Sequence, residues 1–351
     1  MTGRHGFRTG VGQPVDAGQG TGLRDDELTL PRLLDAAGSG YSHANFGKWH
    51  LGGEDTRPND MGWSHFSGLI GGGLRTYSHW TKVVDGQPET VNKYATTEIV
   101  DDAISWITKQ NDPWFAWVGF TAPHTPFHLP PDDLHNQALS GSPADIEANP
   151  TLYYNAAIEA MDTEIGRLLD SLDQADKDNT VVIFIGDNGN PTKVSDHGRG
   201  RAKGSLAQGG IHVPMMIWGA GIDQGLTIDV PVGTIDLHNT ILDLAGVDLE
   251  GLGIDGQPVD SVSLIPLLGG VSDSSHRPRM ILSEQFGVRI RDRAQGRAIR
   301  DETYKLIMFS DGRSELYNLG TDPAEKHPIT NLSDDDQAAL DRLKSQLSAW
   351  S

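Results

Sequence analysis

Residues 180–190 read TVVIFIGDNGN: six apolar or β-branched residues, then Asp187 and Asn188 between two glycines. A short apolar run closed by turn residues is the signature of a buried strand that ends in a loop. Upstream, residues 152–172 place Ala156, Ile158, Met161, Ile165, Leu168 and Leu169 at helical intervals. Before them, PWFAWVGF (113–120) reads as a second buried strand. It follows a helix expected over 93–109, in which Ala95, Ile99, Ala103, Trp106 and Ile107 form one stripe. Further back, a helix over 30–37 is stopped by Gly38, and YSHANFGKWHL (41–51) is a short strand running into a loop. Downstream come a strand over 213–218 and a helix over 235–244. Helices alternating with short apolar strands predict an α/β fold with a mainly parallel central sheet flanked by helices.

The pattern changes near VSDSSHRPR (271–279), a polar stretch with the composition of a linker. Short strands follow over 280–286, 296–299, 304–308 and 314–319, and an amphipathic helix over 334–350 ends the chain. This predicts an α/β domain over 1–270 and a small C-terminal α+β subdomain with an antiparallel sheet over 271–351. Two domains suit a chain of 351 residues.

Composition narrows the function. The 48 acidic and 28 basic side chains leave a net charge of −20, which argues against nucleic acid or an anionic membrane as partner. An anionic substrate would need a local cluster of cations. Cysteine is absent, which excludes disulfides, thiolate metal sites and a cysteine nucleophile among these residues. No apolar run is long enough for a membrane span, and MTGRHGFRTGVG (1–12) shows no signal peptide.

Four stretches can carry chemistry, and each also has a plain structural reading. In GDNGN (186–190), Asp187 and Asn188 offer hard oxygen ligands for a divalent cation, but they are also good turn residues. Two ligands do not complete a Ca²⁺ site, which takes six or more oxygens. In GKWHLG (47–52), Lys48 and His50 alternate on an extended segment, so both side chains are expected to point one way. Together they would hold an oxyanion or protonate a leaving group; otherwise they are a surface Lys and a packed His. APHTPFHLP (122–130) sets His124 and His128 in a proline-stiffened loop, without the helical His spacing of zinc enzymes. RGRAKGSLAQGGIHVP (199–214) concentrates Arg199, Arg201 and Lys203, and it lacks the P-loop order. In open α/β sheets, ligands bind beyond the carboxyl ends of strands, so these loops are expected to converge there.

The order and wording of these stretches resemble the type I sulfatases, the formylglycine-dependent members of the alkaline phosphatase superfamily. The resemblance rests on TGRHGFRTGVG (2–12), GYSHANFGKWHLG (40–52), TAPHTPFHLP (121–130), IFIGDNGN (183–190) and RAKGSLAQGGIHVPMMIWGAG (201–221). RAIRDETYKLI (297–307) and ELYNLGTDPAE (315–325) look like the C-terminal subdomain of that family. The resemblance implies that Asp187 and Asn188 are Ca²⁺ ligands and that Lys48 and Lys203 grip the sulfate oxygens. It gives His124 the ester oxygen, or the part of general acid, and gives His50 the orientation of the nucleophile.

One departure is large. The family opens on a strand ending in paired Asp, followed by C/S-x-P-x-R, whose Cys or Ser becomes the formylglycine nucleophile just upstream of TGR. Neither motif is among these residues, and Asp25-Asp26 follows TGR in the wrong order. The expectation is an N-terminally truncated sulfatase sequence with an incomplete Ca²⁺ ligand set and no formylglycine. Its substrate is a small-molecule or carbohydrate sulfate ester, chosen by rim loops such as GLIGGGLRTYSHW (68–80), where aromatic faces can pack on a sugar. Two other readings stay open at this stage. One is a non-catalytic fragment or pseudoenzyme with an anion-binding pocket, the other a phosphonate or phosphodiester hydrolase of the same superfamily.

Overall fold

The structure, a computed structural model, describes residues 1–350 except 19–21, 199, 250, 253–256, 270–278 and 292–293. The chain forms two compact units. One comprises Pro14–Asn179 and Ala245–Gln257; the other comprises Met1–Gln13, Thr180–Leu244 and Pro258–Ser351. The expected domain boundary at 270/271, and all of the polar stretch except Arg279, lie outside the described residues.

The 14–179 unit is built on a five-stranded sheet. Its strands are β1 (Ser42–Lys48), β2 (His65–Leu69), β3 (Trp80–Val84), β4 (Gln87–Val91) and β5 (Trp114–Gly119), in the order β4-β3-β2-β1-β5. β1 lies parallel between β2 and β5, while β3 and β4 extend the sheet antiparallel. The α/β class stands, and the sheet is mixed because one hairpin reverses the chain. Asp85 and Gly86 both have positive φ, 46° and 81°, as a two-residue type I′ turn requires. The helix Ala95–Ile107 buries Ile99 and Ala103 against Ala44 and Phe46 of β1, with Ala116 and Val118 of β5 and Leu168 closing the cluster. The helix Pro150–Asp170 buries Ala156 and Met161 as expected, while Ile158 of the predicted stripe is exposed.

The hairpin is tied to this core by a charge. Lys82 of β3 is buried, and its Nζ lies 2.6 Å from Glu98 Oε1 and 2.8 Å from Asp102 Oδ2, both on the helix Ala95–Ile107. Ser67 of β2 donates its hydroxyl to the same Asp102 carboxylate at 2.6 Å. Burial alone would raise the Glu98 carboxyl, but the hydrogen bond and charge of Lys82 outweigh it and hold that carboxyl below its ordinary value.

In the other unit, β6 (Val181–Ile185) confirms the apolar run as a strand, and it pairs with β7 (Met215–Gly219). The pair is antiparallel, the chain returning after residues 186–214 with the Gly186 N–H donating to Pro214 O at 3.0 Å. The four expected short strands appear as β8 (Ile281–Gln285), β9 (Gly296–Arg300), β10 (Tyr304–Phe309) and β11 (Ser314–Asn318), an antiparallel sheet in sequence order. The helix Asp334–Ala349 packs Leu343 and Leu347 onto Leu282, Ile299, Leu306 and Leu316 of that sheet. Its start is set by a capping box, Ser333 with Asp336, and by three aspartates facing the positive helix end. The opposite face of the sheet packs Ala298, Ile307 and Tyr317 against Leu206, on the loop that carries Lys203.

Replacing Lys82 by Ala removes the cation shared by Glu98, Asp102 and Glu89, and the expected loss of stability in urea titration is about 3 kcal/mol. Glu98 titrates lower folded than unfolded, so its contribution is present above the unfolded carboxylate pKa and fades as pH falls through the folded one. The Lys82→Ala penalty should therefore shrink on acidification; a penalty independent of pH contradicts the assignment.

Candidate active site

The six residues singled out in the sequence fall into two groups, each assembled within its own unit. Lys48, His50 and His124 belong to the 14–179 unit; Asp187, Asn188 and Lys203 belong to the other.

Lys48 is the last residue of β1. Beyond it the Trp49 and His50 N–H groups donate to Leu69 O and Ile70 O, at 2.9 and 3.0 Å, which ties the loop to the end of β2. His50 has φ of 53°, in the left-handed region. The strand repeat thus stops at Lys48, and the reason for expecting Lys48 and His50 to share a direction does not hold. A non-glycine residue in that conformation is strained, and such strain concentrates at functional sites. The His50 Nε2 lies 3.4 Å from Asp16 Oδ1.

His124 follows β5 in the loop between Pro123 and Pro126. Its Nδ1 lies 2.8 Å from Thr125 O, an acceptor only, so the neutral ring carries its proton on Nδ1. The loop is clamped from above by Tyr77, whose hydroxyl lies 2.7 Å from His124 O and 3.1 Å from Thr121 O. Burial pushes the Tyr77 hydroxyl far above its ordinary pKa, so it remains a donor. His128 stacks on the Tyr77 ring at a centroid distance of 3.9 Å. It accepts from the Tyr94 hydroxyl at 3.0 Å and donates from Nδ1 to Pro126 O at 3.0 Å. Burial lowers its pKa and favours the neutral ring, so the plain reading of His128 as a packed loop residue is the right one.

Both candidate histidines pack against the glycines of GLIGGGLRTYSHW (68–80), the segment expected to form an aromatic rim. A Cβ on Gly72 would fall 2.3 Å from Cε1 and Nε2 of His50, and one on Gly73 would fall 3.3 Å from Nδ1 and Cε1 of His124. On the same segment Tyr77 and Trp80 are buried, at 3% and 6% exposure. They are wall and clamp, which corrects the expectation that their faces pack against a sugar.

In the other unit, GDNGN and the segment 203–210 are zipped together by their backbones. The Gly189 N–H donates to Gly210 O at 2.9 Å, and the Lys203 N–H donates to Asn190 O at 3.0 Å. A Cβ on Gly189 would lie 1.8 Å from Gly209 O, so a glycine is required there. The backbone contact joins Lys203 to Asn190, two residues beyond Asn188. The Asn188 Oδ1 is buried and accepts no hydrogen bond among the described residues. Such an atom costs about 1–3 kcal/mol unless something absent from the protein chain satisfies it. An orphaned amide oxygen next to a carboxylate fits a hard cation. Among the described residues no cluster of three His, Cys, Asp or Glu forms a metal site.

The basic run divides by role. Arg199 is outside the described residues. Arg201 is structural: its guanidinium lies over the Tyr317 ring and reaches Glu325 Oε2 at 3.4 Å. Glu325 was quoted in the sequence only as part of the tail motif. It is fully buried, takes the Gln208 N–H on Oε2 at 2.7 Å, and has Lys305 Nζ 2.6 Å from Oε1. Burial lowers the Lys305 ammonium from 10.5 to about 8, although Glu325 pulls it upward.

Between pH of about 8 and 10.5 the unfolded chain therefore holds a proton on Lys305 that the folded unit lacks. This group makes stability rise with pH in that window. Urea titrations at both ends should give a more positive pH slope for wild type than for Lys305→Met; equal slopes contradict the burial argument.

Known proteins share both sequence and fold with this chain. The family profile "Sulfatase" matches residues 1–247, and "N-sulphoglucosamine sulphohydrolase, C-terminal" matches residues 202–351. Arylsulfatase K of Danio rerio is 32% identical over 197 residues, 54% of this chain and 36% of that protein. Choline-sulfatase of Rhizobium meliloti is 26% identical over 361 residues, 87% of this chain and 67% of its own length. The ulvan-active sulfatase of Formosa agariphila is 25% identical over 333 residues, covering 88% and 62%. The chain thus spans about one third to two thirds of the length of these relatives. The crystal structure of Ps i-CgsB in complex with k-i-k-neocarrahexaose matches with a TM-score of 0.82 at 23% identity, over 100% of this chain and 80% of that one. The structure of BT4656 in complex with D-glucosamine-2-N,6-O-disulfate matches at 0.74 and 20%, over 99% and 85%. With one profile spanning 247 of its 351 residues, the chain belongs to the sulfatase family.

Proposed function

We propose that this chain supplies the sulfate-gripping and proton-handling groups of a sulfuric ester hydrolase. The observation that carries the proposal is the buried Asn188 Oδ1, without a partner among the described residues, in a GDNGN loop zipped by backbone bonds to the Lys203 loop. Hydrolysis breaks the S–O bond to the leaving group, so negative charge grows on the leaving oxygen while the sulfuryl oxygens stay negative. Lys48 and Lys203 provide the ammonium groups that hold the sulfuryl oxygens. His124 sits at the ester oxygen; as imidazolium it passes a proton to the leaving oxygen from Nε2, because Nδ1 is held by Thr125 O. His50, braced by the left-handed turn and the Gly72 backbone, orients the nucleophile. Asp187 and Asn188 would hold the Ca²⁺ ion, which supplies Lewis-acid polarisation when bound.

The family's formylglycine motif is not among these 351 residues, and two oxygen ligands are few for Ca²⁺. The substrate is a sulfate ester, with a sulfated carbohydrate as the favoured class. Relatives named for choline and for ulvan show that membership alone does not select it.

Residues 1–351 alone are expected to bind Ca²⁺ weakly in calorimetry and to leave an aryl sulfate intact; tight stoichiometric binding or sustained turnover overturns the first or the second statement. Fusing a segment with paired Asp and C-x-P-S-R, matured by a formylglycine-generating enzyme, should switch activity on. In that fusion Lys203→Ala should lower kcat/KM by roughly 10- to 100-fold, since a hydrogen bond to a charged group contributes roughly 1.5–3 kcal/mol. A matured fusion that remains inert favours the non-catalytic anion-binding reading.

A further inference from the structure

We infer that Arg75 is a specificity-determining residue, placed to take a second anionic group on the substrate, a sulfate or carboxylate beside the scissile sulfate ester. The inference rests on the sulfatase reading of the site and extends it to the class of substrate.

Arg75 is carried on the glycine segment that meets both site histidines. Gly72 packs against the His50 ring and Gly73 against the His124 ring. Two residues of extended chain span at most about 7 Å, so the Arg75 backbone stays within that distance of the Gly73 contact. The loop around it is held in place. Leu74 is buried on one side and Tyr77 on the other, with the Tyr77 hydroxyl bound to the His124 carbonyl. Thr76 closes a turn through its hydroxyl to His79 O at 2.7 Å, and Tyr77 O accepts the Ala95 N–H at 2.7 Å. The arginine is thus presented from a fixed backbone at the edge of the histidine pair.

Its side chain is exposed, and among the described residues no hydrogen bond or ion pair engages it. The other arginines of the unit are all committed. Arg24, Arg57 and Arg167 hold carboxylates, and Arg32 holds the carbonyls of Asp25, Glu27 and Asp60. In a chain with 48 acidic residues, an arginine left without a carboxylate beside candidate catalytic groups is a distinct chemical feature. A guanidinium offers a planar fork matched to two oxygens of a sulfate or carboxylate, which a lysine cannot reproduce. Because Tyr77 and Trp80 are buried, charge rather than aromatic stacking is what this segment presents to a ligand.

The test uses residues 1–351 and two sugars, D-glucosamine 6-O-sulfate and D-glucosamine 2-N,6-O-disulfate. Binding is followed by the ring signals of His50 and His124 in NMR titrations, a readout that requires no turnover. Wild type should bind the disulfate more tightly than the monosulfate. Arg75→Ala should weaken the disulfate about tenfold, equivalent to about 1.4 kcal/mol, and leave the monosulfate within twofold. Arg75→Lys should recover only part of the preference. Equal effects on both sugars, or none on either, overturn the inference while leaving the site reading intact. If neither sugar moves the histidine signals in wild type, the site reading itself fails, and the role of Arg75 fails with it.

Discussion

Glu325 is sealed from solvent, and the loop of its unit that carries Lys203 depends on it. A buried carboxylate is tolerable only when its oxygens are taken up by partners. Here the partners are the Gln208 N–H and Arg201 from the Lys203 loop, and Lys305 from β10. With Leu206 packed on the same sheet, the loop is held by one charge and one apolar contact. The C-terminal antiparallel sheet is therefore part of how Lys203 is placed. This explains physically why a tail so far along the chain belongs to the same functional unit as GDNGN.

The 14–179 unit solves the same problem with different chemistry. Its site residues sit on loops pinned by neutral groups: the Tyr77 hydroxyl over the His124 loop, and glycine backbone against two imidazole rings. The charged contact lies further back, where Lys82 fastens the β3–β4 hairpin to the helix Ala95–Ile107. In both units a buried lysine is compensated by carboxylates remote in sequence. Each such pair is costly to break, so each ties a peripheral segment to its core.

The elements set by hydrophobic period were legible: β5, β6, the two long helices and all four C-terminal strands. The β3–β4 hairpin was not, because Lys82 interrupts WTKVV and its partners Glu98 and Asp102 are not adjacent in sequence. Asp85-Gly86 was the available signal, a dipeptide that suits a type I′ turn. The candidate site could be named from sequence only through its resemblance to a family. Its supports were not. Glu325 and Lys305 are separated by 20 positions, and nothing in YKLIMF marks its lysine as buried. GLIGGGLRTYSHW looked like an open aromatic rim, whereas its aromatics face inward and its glycines are the contact surface. Asn188 could be nominated as a ligand from sequence, but only the structure shows its amide oxygen buried and without a partner among the described residues.

The central proposal is that Lys48, His124 and Lys203 are sulfate-binding groups, two on one compact unit and one on the other. Titrating inorganic sulfate into residues 1–351, with the lysine ammonium and histidine ring signals followed by NMR, tests it most directly. The account predicts that each of the three residues responds saturably to sulfate, and that Lys48→Ala and Lys203→Ala each weaken sulfate binding. A sulfate response confined to other lysines, or none at these three residues, would contradict it.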